Sequence, residues 1–266
     1  MAREVTAFSN ATVKRLRALR DKKARRSEGL FLAEGLRVMA EARDSGVLPE
    51  IVAFGDEGAK HPLAAEIIAA AEAKGAEAIH TSGDILTKMS GKDNAPLLIG
   101  AYRQPATGLE ELDRSASDLW IVAQALRDPG NLGTILRTGD AVAAGGLILI
   151  DDCADPFSVE AVRASMGAIF TQKVAAASWS DFLIWLRAGP GQLVGTSLKT
   201  DMDYLGARYT KPCFLLVGNE SQGLPADYEA ECDVLVKIPM MGRADSLNAA
   251  VAAAVMALQV RASWRE

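Results

Sequence analysis

Three short stretches place polar and charged side chains beside glycines at the ends of apolar runs: ALRDPGNLGTILRTGDA (Ala125 to Ala141), GNESQGL (Gly218 to Leu224) and IPMMGRADSLNAAVAAAV (Ile238 to Val255). In the first, Pro129, Gly130 and Gly133 shape a tight turn, Asn131 is suited to cap a helix, and Arg137 falls about six residues into that helix. Arginine is rarely buried without a partner, so helix formation alone does not explain Arg137 in an otherwise apolar helix. In the second, two glycines bracket the carboxylate of Glu220 at a strand end, which suits close backbone approach to a ligand. In the third, Ser246 and Asn248 stand at the mouth of a helix whose body holds only Ala, Val, Met and Leu.

Much chemistry is excluded. The only two histidines, His61 and His80, lie in the first third, so the remainder cannot build a Ser/His/Asp triad or a His-rich metal site. Ser221 is therefore a poor nucleophile, and its surroundings are not the G-x-S-x-G elbow. Cys153, Cys213 and Cys232 show no C-x-x-C spacing and read as buried free thiols. Neither G-x-G-x-x-G nor a P-loop occurs, which leaves a small-molecule nucleotide enzyme without its phosphate-binding loop.

The elements that must position these stretches are legible as runs. From Asp118 onward LWIVAQAL, GLILIDD, QKVAAA, QLVGTSL, CFLLVG and DVLVKI alternate with helical stretches near 131–144, 158–169 and 179–188, and the chain closes on a long helix, 247–264. This pattern is α/β, a mostly parallel sheet with helices on both faces. Ligands of such sheets bind beyond the carboxyl ends of the strands, where the three stretches fall. The first hundred residues form a smaller α/β unit: a basic helix near 10–24, GLFLAEG, a helix near 35–45, IVAF, an Ala-rich helix at 62–74, EAIH and PLLIGAY. RQPATGLEELDRSAS (Arg103 to Ser117) reads as the connection, giving domains at 1–105 and 118–266 with a linker at 106–117.

The net charge is −5 but unevenly spread. Residues 1–26 hold nine basic groups against Glu4 and Asp21, a local net of +7, while the other 240 residues carry a net of −12. A cationic segment on an acidic body is the pattern of a polyanion contact built at one place; the alternative is a merely solvated basic helix. The longest run free of polar residues, Ala249 to Leu258, is about half of a bilayer span, and Arg3 and Glu4 spoil a signal peptide, so a cytoplasmic protein without membrane contact is expected.

In this order and spacing, NLGTILR, LLVGNESQGL and IPMMGRADSLNAAVA resemble the three motifs of the SpoU (TrmH-like) RNA ribose methyltransferases of the SPOUT superfamily. DPFSVEAVRASMGAIF is similar to the family's linking segment, with Arg163, Ser165 and Gly167 in the corresponding places. The resemblance covers residues 118–260, and SNATVKRLRALRDKKARRSEGLFLAEG resembles the start of the family's substrate-binding domain, itself similar to small ribosomal RNA-binding proteins. It implies an S-adenosylmethionine-dependent 2′-O-methyltransferase with a trefoil-knotted C-terminal region, working as a homodimer through that region, and no metal. It assigns Asn131, Arg137, Glu220, Ser246 and Asn248 to catalysis. Thr196, Gly218, Asn219, Ile238, Met240, Ser246 and Leu247 match positions that hold the cofactor, largely through backbone.

Two readings of Arg137 follow. It is the base, deprotonated only when RNA and neighbours enforce it, or it stabilises the developing alkoxide while the proton leaves by water or a phosphate. Given an RNA substrate, Lys14, Arg15, Arg17, Arg20, Lys22, Lys23, Arg25, Arg26 and Arg163 become candidate RNA contacts. Ribosomal RNA is favoured over tRNA because the layout with an N-terminal substrate-binding unit is commoner among the rRNA-modifying relatives. The alternatives are a tRNA 2′-O-methyltransferase and an inactive RNA-binding relative.

Overall fold

The basic stretch at the start of the chain forms two helices instead of one, and Asp21 is the reason. A computed structural model describes residues 2–219 and 222–265; Glu220, expected in catalysis, lies outside the described residues. After β1 (Arg3–Val5), Asn10 caps α1 (Ala11–Ala18) by accepting from the Thr12 amide at 2.9 Å. The carboxylate of Asp21 then accepts from the amides of Lys23 (2.8 Å) and Ala24 (3.3 Å) and opens α2 (Lys22–Glu28), which Gly29 closes at φ +63°. A short acceptor that satisfies orphan amides starts a new helix more readily than it continues an old one.

The chain packs as two units, Met1–Pro105 with Asp155–Phe170, and Ala106–Ala154 with Thr171–Glu266. The first continues through β2 (Leu30–Glu34), α3 (Leu36–Asp44), β3 (Ile51–Phe54), α4 (Asp56–Lys60), α5 (Pro62–Ala73), β4 (Glu77–Thr81), α6 (Gly83–Ser90) and β5 (Leu98–Arg103). Its sheet has the order β1-β4-β3-β5-β2, with β1, β4 and β3 parallel and β5 antiparallel to both β3 and β2. Leu16 and Leu19 of the basic stretch are fully buried against Leu30, Leu32, Ile79 and Ile99 of this sheet, so an apolar stripe docks a segment whose other faces are cationic.

The second unit contains β6 (Leu119–Gln124), α7 (Pro129–Ala141) and β7 (Gly146–Ile150). After α8 (Val159–Ala164), which belongs to the first unit, come β8 (Lys173–Ala177), α9 (Trp179–Arg187), β9 (Gln192–Thr196), β10 (Cys213–Val217), α10 (Ala226–Glu231), β11 (Val234–Val236) and α11 (Ala249–Ala262). All six expected strands form, in the order β11-β9-β10-β6-β7-β8 and all parallel. The chain winds outward from β6 to β8, then returns to the other side of β6, so β6 and β10 flank the point where the winding reverses. Every residue of β6, β7 and β10 is buried, as their unbroken apolar runs require. α11 leaves the edge strand β11 and packs over β10, β6 and α7.

Two stretches depart from the expected boundaries. Residues 106–117, expected as a linker, pack on the second unit: Ala176 donates to Thr107 O at 2.8 Å, and the Arg114 guanidinium donates to Leu186 O at 3.0 Å and stacks over Trp185 at 4.4 Å. The helix expected at 158–169 is α8 followed by a 3₁₀ turn, Ala168–Phe170, and its aromatic neighbours lie in the first unit, with Phe157 and Phe170 against Phe31 at ring distances of 5.1 and 5.8 Å.

Arg25, expected to contact RNA, is instead an internal brace. Its side chain is 3% exposed, pairs with Asp155 at 2.6 Å, and donates to Leu19 O (2.9 Å) and Arg20 O (2.7 Å). With its fork committed to internal acceptors it has nothing to offer a phosphate. Arg25→Ala would strand the Asp155 carboxylate and is expected to cost about 3–5 kcal/mol of unfolding free energy. Denaturant unfolding measures this, and a variant of wild-type stability with weakened RNA binding would return Arg25 to the surface role.

Candidate active site

The carboxyl ends of β9, β10 and β11 and the first turn of α11 enclose a cavity of about 460 Å³. Thr196 ends β9, Gly218 and Asn219 follow β10, Ile238 and Met240 follow β11, and Ser246 and Leu247 lead into α11; all seven line the cavity. Val217, Leu224, Val236, Ala249 and Ala252 complete an apolar wall. The mouth is polar because Ser246 and Asn248 are exposed while Ala249 and Ala250 just behind them are buried.

Gly218 is required by a close approach within its own loop. A Cβ there would lie 2.5 Å from the Gly223 carbonyl carbon and 2.7 Å from the Leu224 nitrogen. The Gly223 amide donates back to Asn219 O at 2.9 Å, and Gly223 takes φ +66°, a conformation that favours glycine. The two glycines therefore let the loop fold back on itself, with the Asn219 side chain donating to Ala125 O at 2.8 Å across to the end of β6.

The first stretch meets the third through one hydrogen bond. Asp128, not Asn131, caps α7, its carboxylate accepting from the Asn131 amide at 2.7 Å. Asn131 sits inside the first turn, and its side-chain oxygen accepts from Asn248 Nδ2 at 2.9 Å. Asn248 is itself the N-cap of α11, its Oδ1 accepting from the amides of Ala250 (2.9 Å) and Val251 (3.3 Å). The Asn248 amide is thus oriented from both ends.

Arg137 is not buried, contrary to what its apolar surroundings in the sequence imply. Leu132, Ile135, Leu136 and Gly139 turn inward from α7, and Arg137 faces out beside Thr134 and Thr138. It lies six residues from Asn131, a rise of about 9 Å. It does not line the cavity, and among the described residues its side chain has no hydrogen bond or ion pair.

Sequence reasoning misses a polar cluster in the cavity lining. Glu229 of α10 lines the cavity; its Oε1 accepts from Ser197 Oγ at 2.6 Å and its Oε2 pairs with Lys199 Nζ at 3.0 Å. Burial works to raise this carboxyl, but the hydrogen bonds from Ser197 and Lys199 and the lysine charge outweigh it and hold the group below its ordinary range. These residues lie about thirty positions apart on a strand end and a short helix, and no spacing rule links them. Burial pushes the thiols of Cys213 and Cys232 up to about 12 and raises Cys153, so none supplies a thiolate nucleophile. Among the described residues no group of three or more His, Cys, Asp or Glu is placed to hold a metal ion.

The basic candidates fall in the first unit. Lys14, Arg17, Arg20, Lys22, Lys23 and Arg26 are exposed, as is Arg163 on α8. Arg15 is exposed but paired with Glu28 at 2.7 Å.

Residues 118–258 match the model of the SpoU rRNA Methylase family. The chain belongs to the SpoU rRNA methylase family. Residues 10–100 match the MRM3-like substrate binding domain. The chain is similar to a 23S rRNA (uridine(2479)-2′-O)-methyltransferase of Streptomyces viridochromogenes, 32% identical over 95% of this chain and 89% of that one. A 23S rRNA (guanosine(2553)-2′-O)-methyltransferase of Bacillus subtilis is 28% identical over 97% and 99%. The crystal structure of an AdoMet-bound rRNA methyltransferase from Sinorhizobium meliloti superposes with a TM-score of 0.91 at 36% identity, covering 100% of this chain and 99% of that one.

In this SpoU methylase the returning loop leaves no room at Gly218. Gly218→Ala is expected to lower stability by about 1–3 kcal/mol through overpacking. Thermal unfolding reads the loss, and an unchanged midpoint would mean that the loop opens without cost.

Proposed function

We propose that the chain transfers the methyl group of S-adenosylmethionine to a ribose 2′-hydroxyl of ribosomal RNA. The carrying observation is the convergence of the second and third stretches, with Thr196 at the end of β9, on one cavity, and the tie of the first stretch to the third by the Asn131–Asn248 hydrogen bond. The cavity fits an adenosyl group: its volume lies within the range of small-molecule sites, one wall is apolar, and polar side chains stand at the strand ends, on α10 and just before α11. When bound, the cofactor supplies an electrophilic methyl carbon on a sulfonium. The chain's part is to hold the acceptor hydroxyl in line and to manage its proton. Thr196, Gly218, Asn219, Ile238, Met240, Ser246 and Leu247 would hold the cofactor.

Arg137 would engage the acceptor hydroxyl as a charge stabiliser, since a guanidinium keeps its proton in proteins. Its exposed side chain, without a partner among the described residues, supports a role toward a group that arrives from outside the chain. Asn131, Ser246 and Asn248 would position the reacting groups at the mouth of the cavity. Arg137→Ala is expected to reduce methyl transfer to rRNA by at least about a hundredfold, the scale of losing one oxyanion donor. Cofactor affinity should change less than about threefold, because uniform binding is not what the residue supplies. Labelled-cofactor turnover and calorimetric titration make the two measurements; wild-type turnover in the variant would remove Arg137 from the reaction.

A ribosomal substrate is supported by the full-length match to relatives named for 23S rRNA, which extends through the substrate-binding unit. The same substrate supports a cytoplasmic location, and no helix of the described residues is long and apolar enough to cross a membrane. The trefoil knot forms part of the proposal. Lys237, just after β11, donates to Met202 O at 2.8 Å and accepts from the Tyr204 amide at 3.1 Å, so the returning chain runs along the loop that follows β9. Beyond α11, Trp264 donates to Tyr209 O of that loop at 2.9 Å.

A homodimer through α11 completes the reading. Val251 and Leu258, two turns apart on one face, are 48% and 60% exposed in an otherwise well-packed helix. Placing aspartate at both is expected to give a monomer by light scattering at concentrations where the wild type is a dimer, because two desolvated carboxylates face each other across a symmetric contact. A dimer of unchanged stability would put the interface elsewhere.

A further inference from the structure

The first unit carries a second concavity, of about 850 Å³, between α1 and α6. Lys14, Arg17, Arg20 and Lys88 line it, and none of the four side chains has a hydrogen bond or ion pair among the described residues. Its acids are partly spent. Asp21 caps α2 through two backbone amides, while Asp84 and Asp93 remain at the rim. Lys92 contributes little to the field, because it neutralises the buried carboxylate of Glu34 at 2.5 Å.

Two features distinguish this groove from a merely solvated basic face. Arg20 has a built seat: Gly91 closes α6 at φ +63°, and a Cβ there would lie 1.3 Å from Arg20 Nη1, so the guanidinium occupies the space a side chain would fill. Phe8, on the groove wall, is 54% exposed, and it is the only large apolar side chain of the first unit so exposed among the described residues. An aromatic face beside unpartnered cations suits one polyanion best, a nucleic acid strand whose bases are free to stack.

We propose that the groove between α1 and α6 takes a single-stranded stretch of RNA, its phosphates on Lys14, Arg17, Arg20 and Lys88 and one unstacked base on the ring of Phe8. This rests on the reading of the substrate as RNA and narrows it to RNA that carries an unpaired segment. In a duplex both base faces are covered, so Phe8 has nothing to stack on; a strand in a loop or bulge offers both phosphate and ring. Stacking is tolerant of base identity, and selectivity here is for unpaired structure.

The test uses the full chain and a labelled RNA of about ten nucleotides, unpaired or annealed to its complement. Phe8→Ala should weaken binding of the unpaired strand about tenfold and leave the duplex unchanged. Phe8→Trp should keep wild-type affinity and show RNA-dependent quenching of its added indole emission. Lys88→Ala should weaken both forms and lower the slope of log affinity against log salt by about one. Unchanged binding of the unpaired strand by Phe8→Ala, or equal loss on strand and duplex, overturns the proposal. Methyl transfer to rRNA by the wild type, measured alongside, separates the two ideas: transfer with unaltered Phe8→Ala binding defeats the groove alone, and absent transfer defeats the assigned reaction.

Discussion

α11 begins after the outermost strand of the sheet and is buried over its middle. β11 is the edge, β9 and β10 follow, and the helix lies on β10, β6 and α7. The connection, residues 237–248, must travel back over the carboxyl ends of β9 and β10, carrying Ile238, Met240, Ser246 and Leu247 across them. What drives the return is burial of Ala249, Ala250, Ala253, Met256, Ala257 and Val260, each 5% exposed or less. Alanines suit this face because they admit close helix approach; Arg261 then fastens the far end by donating to Val142 O at 2.7 Å at the carboxyl end of α7.

The polar contacts at the mouth are small terms by comparison. An N-cap is worth about 1 kcal/mol and a neutral hydrogen bond about 0.5–1.5 kcal/mol, whereas each buried large apolar side chain is worth about 1.5–3 kcal/mol. The core therefore places the helix, and Asn248 fixes only the orientation of groups already brought together. This explains an apolar body with a polar first turn: the body supplies position and the turn supplies direction. Asn131 takes part while Asp128 fills the capping role.

The six strands of the second unit were legible because buried parallel strands write themselves as unbroken apolar runs, and the three loops because they fall at strand ends. Their convergence was legible only through the family resemblance, since periodicity says which face is buried but not which loop meets which. Local competition defeated other readings. Asn131 and Asp128 both suit a cap, and the position three residues before the bonded amide wins. Asp21 splits a cationic stretch that reads as one helix, and Arg25 inside it looks like its neighbours until Asp155, 130 positions away, appears beside it. Glu229, Ser197 and Lys199 carry no local pattern at all.

The contrast between Arg25 and Arg137 separates structure from chemistry. Both are arginines on helices, yet one has its guanidinium donors filled by its own chain and the other has none filled among the described residues. Outside residues 1–26 the chain carries 32 carboxylates, and an exposed arginine on such a body meets a partner easily; Arg187 with Asp233 and Arg127 with Asp152 do. An intramolecular carboxylate would hold Arg137 in place while screening it from any incoming oxygen, and would add at most about 1 kcal/mol of stability at the surface. On the reaction proposed above, an open guanidinium would give up that small gain and keep its full charge for a hydroxyl or phosphate that the substrate brings. The local charge would then be balanced only when substrate is bound, and a contact to the acceptor oxygen would strengthen as negative charge develops on it, as catalysis by differential binding requires.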